Sequence, residues 1–250
     1  MEGVDYVLHI ASPYVLKAKK DSDLIDPAVN GALSVMKAAS SSNVKGLVLT
    51  SSCVAVYPHK FTSLEHTYTE EDWGELKETN AYGKSKILAE QKAWEYWNSL
   101  DKETRFKFAT INPSAVFGPQ RIPSKFTSSD LMVQFIDGSY PSIPRLTLPL
   151  VLVSDVAKAH IAAMENFDKA DGNRYIVNEN TYWFKDMIGW LGELREYGYK
   201  IPKSEMKYCL FSMAGLFKSE LRDLKSQWGK RIHCAHEKIE KDLGFEFTPV

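Results

Sequence analysis

Short apolar runs alternate with amphipathic segments along the first half of the chain. Apolar runs bounded by turn-forming residues predict strands over residues 4–10, 45–50 and 106–111. Apolar positions at helical spacing predict helices over residues 28–40 and 81–100. Because the strands are apolar along their length, helices must cover both faces of the sheet that they form. We therefore predict a doubly wound α/β fold with a parallel sheet.

After Pro119 the pattern changes to loop-rich segments with further prolines. A helix that begins at Asp155, with Ser154 as its N-cap, and a strand over residues 174–178 then resume the earlier alternation. Amphipathic helices fill the rest of the chain. The predicted domains are an α/β domain of residues 1–118 with 151–180, and a smaller substrate lobe of residues 119–150 with 181–250.

Composition and charge narrow the class of protein. The chain is 44% hydrophobic and 25% charged, which fits a globular protein and excludes collagen-like and disordered chains. Its 31 basic and 32 acidic side chains leave a net charge of -1, so we expect no nucleic-acid or membrane partner. The longest largely apolar stretch, residues 146–153, is far shorter than the roughly 20 residues that cross a bilayer. Three widely spaced cysteines and a start unlike a leader peptide favour a cytoplasmic location.

Tyr82 and Lys86 are the first candidates for chemistry. Residues four apart lie on one face of a helix, so the Lys86 ammonium can approach the Tyr82 hydroxyl. A neighbouring cation favours the phenolate, which suits a phenol that acts as a general acid near neutral pH. Tyr199 and Lys203 have the same spacing, but Pro202 between them argues against a helix there. The case for Tyr82 and Lys86 therefore depends on the segments expected beside them.

Two other segments are expected at the same edge of the sheet. The predicted strand over residues 45–50 runs into Ser51-Ser52, which places hydroxyls where open α/β sheets bind ligands. A serine there can donate a hydrogen bond to a substrate carbonyl. The loop over residues 111–119, with the sequence INPSAVFGP, follows the next strand. Three consecutive elements would then converge on one crevice.

A series of segments in fixed order carries a family resemblance: residues 4–14, 26–39, 47–58, 82–90, 111–119 and 153–160. Together they resemble the extended short-chain dehydrogenase/reductases, in the branch of dihydroflavonol reductase, cinnamoyl-CoA reductase and related aldehyde or ketone reductases. The resemblance implies a Rossmann-like fold. It also implies that Tyr82 is the acid/base, that Lys86 assists it, and that Ser52, or the adjacent Ser51, is the hydroxyl that polarises the carbonyl.

The same resemblance implies a nicotinamide cofactor, NADP(H) with NAD(H) as the alternative, and a small aldehyde or ketone as substrate. In the implied reaction the cofactor delivers hydride while Tyr82 donates the proton and Lys86 holds the ribose. We expect the direction to be reduction, and an epimerase or dehydratase with the same catalytic set is less favoured. The implied cofactor contacts are Ala11, Ser12, Thr50, Ser51, Tyr82, Lys86, Pro113, Ser114, Ala115 and Val116.

One part of the family pattern is absent from this sequence. Relatives begin with a strand, a glycine-rich turn and a helix whose amides bind the pyrophosphate, whereas no G-x-G-x-x-G follows a strand here. We therefore expect a piece of a longer reductase or a truncated paralogue, with weak or no NAD(P)H binding by this chain alone. Residues 4–10 would form an open sheet edge, through which we expect oligomerisation or binding of a partner subunit. The alternative function is that of a noncatalytic interaction subunit of a larger assembly.

Other polar residues receive structural interpretations. Cys53 is interpreted as a small buried thiol. His233, Cys234 and His236 carry metal-binding atoms, but neighbours on a helix point apart and no fourth ligand is evident, so we predict no metal site. The loop aromatics that could line a substrate pocket are Tyr57, Phe61, Phe126 and Tyr140.

Overall fold

Strands and helices alternate along most of the chain. The computed structural model of the protein describes residues 1–13, 20–58, 66–119, 127–217, 221–222 and 224–250. The strands are β1 (Tyr6–His9), β2 (Gly46–Thr50), β3 (Thr67–Tyr68), β4 (Lys107–Pro113), β5 (Ala115–Phe117), β6 (Thr147–Leu152), β7 (Asn173–Val177), β8 (Asn180–Trp183) and β9 (His233–Cys234). The helices are α1 (Ser22–Ser40), α2 (Ala81–Ser99), α3 (Thr127–Ile136), α4 (Val153–Glu165), α5 (Phe167–Ala170), α6 (Phe184–Trp190), α7 (Tyr208–Phe217) and α8 (Glu237–Leu243).

The central sheet has the strand order β1-β2-β4-β7, and every neighbouring pair is parallel. Helices α1 and α2 cover one face, where Leu47, Leu49 and Phe108 form the core. Helices α4, α5 and α8 cover the other face, around Val48 and Ile111. Successive side chains of β2 pack alternately into the two cores, because side chains along a strand point to opposite faces of the sheet. The predicted doubly wound α/β fold is confirmed.

A second sheet and a group of helices form a smaller layer. Strand β6 pairs with β5 in parallel and with β8 in antiparallel orientation. Helices α3, α6 and α7 share a core that includes Phe135, Ile188 and Phe211. The end of the chain departs from the predicted domain boundaries, because Ile239 and Phe245 are buried in the core of the central sheet. Across the described ranges, no helix is long and apolar enough to cross a membrane.

Two predicted helix starts are wrong. Helix α1 begins earlier than expected, at Ser22, because Leu24 is buried in its first turn, and Pro27 removes only one hydrogen bond near a helix start. Helix α4 begins at Val153, with Leu152 rather than Ser154 in the N-cap position. Asp155, which suggested a helix start, has another role. Its buried carboxylate accepts a hydrogen bond from the Thr248 amide near the end of the chain, and the described N-terminus of α4 has no side-chain capping hydrogen bond.

The two edges of the central sheet differ in how they are covered. At the β7 edge, the Glu70 carboxylate accepts a hydrogen bond from the Ile176 amide at 3.0 Å. Within the described ranges, no strand pairs with the outer side of β1. The side chains of Tyr6, Leu8 and Ile10 are 41%, 37% and 63% exposed. Strand β1 therefore presents an open edge and an apolar surface.

Candidate active site

Tyr82 and Lys86 lie one turn apart at the start of α2. Asn80 caps this helix, and its Oδ1 accepts a hydrogen bond from the Gly83 amide at 2.9 Å. Gly83 approaches Thr79 so closely that a Cβ atom at this position would overlap the threonine hydroxyl. The Lys86 Nζ atom lies 5.8 Å from the centroid of the half-buried Tyr82 ring. The structure thus brings the two predicted residues together.

Lys86 carries a buried ammonium group. The residue is 8% exposed, and across the described part of the chain its Nζ has no hydrogen-bond or salt-bridge partner. Burial lowers the pKa of Lys86 to about 8, and the nearby Glu90 carboxylate opposes this shift. Most Lys86 side chains are therefore protonated at pH 7, although burial disfavours the charge.

Lys86 faces a cavity at the carboxyl ends of β1 and β2. Predicted cofactor residues line it: Ala11 and Ser12 follow β1, while Thr50 and Ser51 end β2. An ammonium group without a described protein partner thus lies beside the ends of two parallel strands, the edge at which open α/β sheets bind ligands.

His9 was missed by the sequence analysis. It ends β1 and lines the same cavity as Lys86. Burial, and then the positive charge of Lys86, lower the pKa of His9. Its place at the end of the first predicted strand was the available signal, since ligands bind at that edge of a parallel sheet.

The structure distinguishes the two candidate serines. The Ser51 hydroxyl donates to Glu90 Oε2 at 2.5 Å, so its proton is committed to a buried carboxylate. Ser52 begins the 3-10 turn Cys53–Ala55, and its Oγ accepts a hydrogen bond from the Val54 amide at 3.3 Å. Within the described residues, Ser52 Oγ donates to no other group. Of the two, Ser52 has the hydroxyl proton that could reach a substrate, although Ser52 does not line the Lys86 cavity.

The remaining predicted cofactor residues lie apart from that cavity. Pro113 ends β4, while Ala115 and Val116 begin β5, and none of them lines the cavity at Lys86. Between them, the Ser114 amide donates to the Val177 carbonyl at 3.1 Å. The Ser114 hydroxyl is buried and has no hydrogen-bond partner among the described residues. The Ser114 hydroxyl is therefore a second polar group at the same edge of the sheet.

The Thr50 side chain points away from the predicted ribose position. Its hydroxyl lies 2.6 Å from His160 Nε2, on the face of the sheet that α4 covers. The alternation of side chains along a strand explains this, because Ser51 points to the opposite face. Thr50 therefore lines the cavity without offering it a free hydroxyl.

Several other candidate positions are placed differently from expectation. His233 and Cys234 form the short strand β9, which pairs with β3, and do not lie on a helix as expected. Within the described ranges, no three His, Cys, Asp or Glu side chains are grouped so that they could hold a metal. Tyr140 packs against Phe135 in the core of the smaller layer. The candidates Phe61 and Phe126 lie outside the described residues.

Comparison with known proteins relates this architecture to enzymes. The family model for the NAD dependent epimerase/dehydratase family matches residues 1–178. Cinnamoyl-CoA reductase 1 of Arabidopsis thaliana is 32% identical over 252 residues, which cover 99% of this chain and 65% of that protein. The NADPH-dependent methylglyoxal reductase GRE2 of Saccharomyces cerevisiae is 33% identical over 210 residues, which cover 77% of this chain and 61% of that protein. The chain thus spans less than two thirds of the length of these relatives.

Solved structures show the same architecture over nearly the whole chain. Gre2 from Candida albicans, in complex with NADPH, has a TM-score of 0.78 at 28% identity and covers 98% of this chain and 73% of its own. Yeast methylglyoxal/isovaleraldehyde reductase Gre2, also complexed with NADPH, has a TM-score of 0.79 at 28% identity, with the same shares covered. The described cavity therefore belongs to a fold that binds NADPH in these two proteins.

Proposed function

Because the chain belongs to the NAD-dependent epimerase/dehydratase family, within the extended short-chain branch of the cinnamoyl-CoA reductases, we propose that it reduces a small aldehyde or ketone to an alcohol with NAD(P)H. NADPH is the favoured cofactor, because two structurally similar reductases were solved with it. Membership of this family supports the redox chemistry. The cavity at Lys86 supports the place in this chain where we propose that the reaction occurs.

One observation carries the proposal. Lys86 is a buried ammonium that lines a cavity and lies one helical turn from Tyr82, and within the described residues no carboxylate or carbonyl accepts a hydrogen bond from it. A buried charge of this kind is costly unless a ligand compensates it. A ribose diol at the ends of β1 and β2 would provide that compensation.

The residues of this chain have distinct parts in the proposed reaction. When bound, the dinucleotide would supply a hydride to the carbonyl carbon. Tyr82 would donate its proton to the carbonyl oxygen, and the Lys86 ammonium would stabilise the phenolate that remains. Ser52 would donate a hydrogen bond to the same oxygen, because its hydroxyl proton has no described protein acceptor. Lys86 would also hold the ribose hydroxyls.

NADPH consumption with a panel of aldehydes and ketones tests this proposal. We expect Tyr82→Phe to lower kcat by at least about 100-fold, because it removes the general acid. Tyr199→Phe is the matched control, since Tyr199 is 50% exposed and lies outside any described helix, and should leave kcat unchanged. Full activity in Tyr82→Phe would rule out the proposed mechanism.

A second candidate function is that of a noncatalytic interaction subunit. The observation that favours it is the open edge of β1 with its exposed apolar side chains, Leu8 among them. An edge of this kind is a template for pairing with another chain. If the wild-type chain consumes no NADPH but self-associates or binds a partner, and Leu8→Lys abolishes this while Leu76→Lys does not, the second candidate is favoured. Leu76 is a matched control because it is 39% exposed at another site.

A further inference from the structure

A buried ion pair adjoins the cavity of the candidate active site. Glu90 follows Lys86 by one turn on α2 and is 1% exposed, and Arg174 on β7 is 8% exposed. Arg174 Nε donates to Glu90 Oε1 at 2.7 Å. Neither charge belongs to the proposed catalytic set of Ser52, Tyr82 and Lys86.

The Glu90 carboxylate also accepts hydrogen bonds from side chains of β4 and from the residue that follows β2. Ser51 Oγ donates to Oε2 at 2.5 Å, and Asn112 Nδ2 donates to the same oxygen at 2.8 Å. Thr110 Oγ1 donates to Oε1 at 3.0 Å. Together with Arg174, these donors satisfy the buried carboxylate, which lies where α2 packs against β2 and β4.

Arg174 is held just as firmly on its other side. Its Nη1 atom donates to the carbonyls of Glu70 at 2.7 Å and Asp72 at 2.8 Å. The guanidinium also stacks on Trp73, 3.7 Å from the ring centroid. Arg174 thus cannot swing away from Glu90 without losing contacts to a separate segment of the chain.

The groups that face Lys86 come from several packed elements. Glu90 on α2 lines the same cavity and raises the pKa of Lys86 against the effect of burial. His9 on β1 also lines this cavity, and its own pKa is lowered by burial and by Lys86. The Tyr82 ring lies one turn earlier on α2. Of these groups, Glu90 is the one whose charge favours the ammonium form of Lys86.

We propose that Glu90 is a positioning residue that keeps Lys86 in its ammonium form and that Arg174 holds the Glu90 carboxylate in place for this purpose. The inference rests on the proposed function only in the role that Lys86 has there. Glu90 lines the same cavity, but its role in this scheme is exerted on Lys86 and not on the reacting atoms. It acts through Lys86, whose positive charge is needed both for the ribose and for the Tyr82 phenolate.

The titration of Lys86, measured by competitive acetylation at a series of pH values with mass spectrometry, tests the proposal without any need for activity. In the wild-type chain we expect a midpoint near 8. In the double variant Glu90→Gln/Arg174→Met, which removes both buried charges together, we expect the midpoint to fall by at least about 0.5 pH unit. Lys84, paired with Asp21 at the surface of the same helix, is the internal control and should not shift.

The conservative variant Glu90→Asp separates an electrostatic role from a structural one. It keeps the charge, so its Lys86 midpoint should lie nearer to that of the wild type than to that of the double variant. An unchanged midpoint in a folded double variant would overturn the proposal. If the double variant does not fold, a wild-type midpoint below about 7, or a Glu90→Asp midpoint lowered by a full unit, would overturn it instead. A wild-type chain that is inactive, but in which Lys86 titrates as expected above, as it does in the variants, would refute the proposed function and leave this inference standing.

Discussion

Two successive turns of helix α2 bury charges in opposite ways. At the first turn, Lys86 has no hydrogen-bond or salt-bridge partner among the described residues and faces a cavity. At the next turn, Glu90 is bound by Arg174 and by hydrogen bonds from three side chains of β4 and the residue after β2, Ser51, Thr110 and Asn112. Both residues are less than a tenth exposed. The two residues are therefore similarly buried. They differ in the number of hydrogen-bond and ion-pair partners that the described residues provide for each charge.

We interpret this difference as one between a residue that stabilises the fold and a residue that we propose to bind a ligand. A buried charge that is fully paired contributes to the native structure, and removal of its partner leaves a costly unpaired ion. A buried charge that the protein leaves unpaired lowers stability, so its retention points to a partner outside the chain. In α2 the first kind of residue directly supports the second.

The largest effect is expected when the paired turn is broken. Arg174→Met leaves Glu90 buried without its counterion, and we expect the free energy of unfolding to fall by about 3 to 5 kcal/mol. Urea denaturation followed by circular dichroism measures this. Lys107→Met is the control, because its ion pair with Asp168 lies at the surface and should contribute little. Equal losses in the two variants would show that the Glu90 pair has no special weight.

The opposite sign is expected at the unpaired turn. Lys86→Met removes a disfavoured buried charge and replaces it with an apolar chain of similar length, so the variant should be more stable than the wild type by roughly 3 kcal/mol at pH 7. This figure is an upper bound, since it converts the whole fall of the Lys86 pKa from 10.5 to about 8.

The advantage of Lys86→Met should also depend on pH. The folded-state pKa of Lys86 lies below its unfolded value, so the unfolded chain holds the extra proton between pH 8 and 10.5. The stability of the wild type should therefore rise with pH across this window relative to the variant, and the difference should vanish near its upper end. A wild type that is the more stable protein at pH 7 would contradict the interpretation of Lys86.

A smaller effect should separate the two serines. Ser51→Ala removes a donor to the buried Glu90 carboxylate, and we expect a loss of about 2 kcal/mol in the free energy of unfolding. Ser52→Ala removes a hydroxyl that accepts only one long hydrogen bond in the described chain, so the loss should stay within about 0.5 kcal/mol. NADPH consumption should show the reverse order, with the larger loss in Ser52→Ala. Similar stability losses in both variants would remove the distinction.

Local patterns in the sequence were enough to predict the turn that contains Lys86. Tyr82 and Lys86 follow the cap residue Asn80 on one helix, so their proximity is set by helical geometry alone. The central strands could be predicted for a related reason, because continuous apolar runs have few other uses in a chain of this kind.

The paired turn could not be predicted in the same way. Glu90 and Arg174 are separated by 84 residues, and nothing local in the sequence joins them. The pairing of β7 with β4 brings Arg174 to Glu90 on α2. The wrong prediction of Ser154 as an N-cap has a similar origin, since Asp155 accepts hydrogen bonds from Thr248 near the far end of the chain.

Our central proposal is that Lys86, which has no hydrogen-bond or salt-bridge partner among the described residues, holds the nicotinamide ribose. Protection of Lys86 from acetylation tests this most directly. Millimolar NADPH, a concentration high enough to reveal weak binding, is added before labelling, and the extent of reaction at each lysine is measured by mass spectrometry. We expect NADPH to protect Lys86 but not Lys84 on the same helix, whereas adenosine 2′,5′-bisphosphate, which lacks the nicotinamide ribose, should protect neither. Equal labelling of Lys86 with and without NADPH, or equal protection by the bisphosphate, would contradict the account.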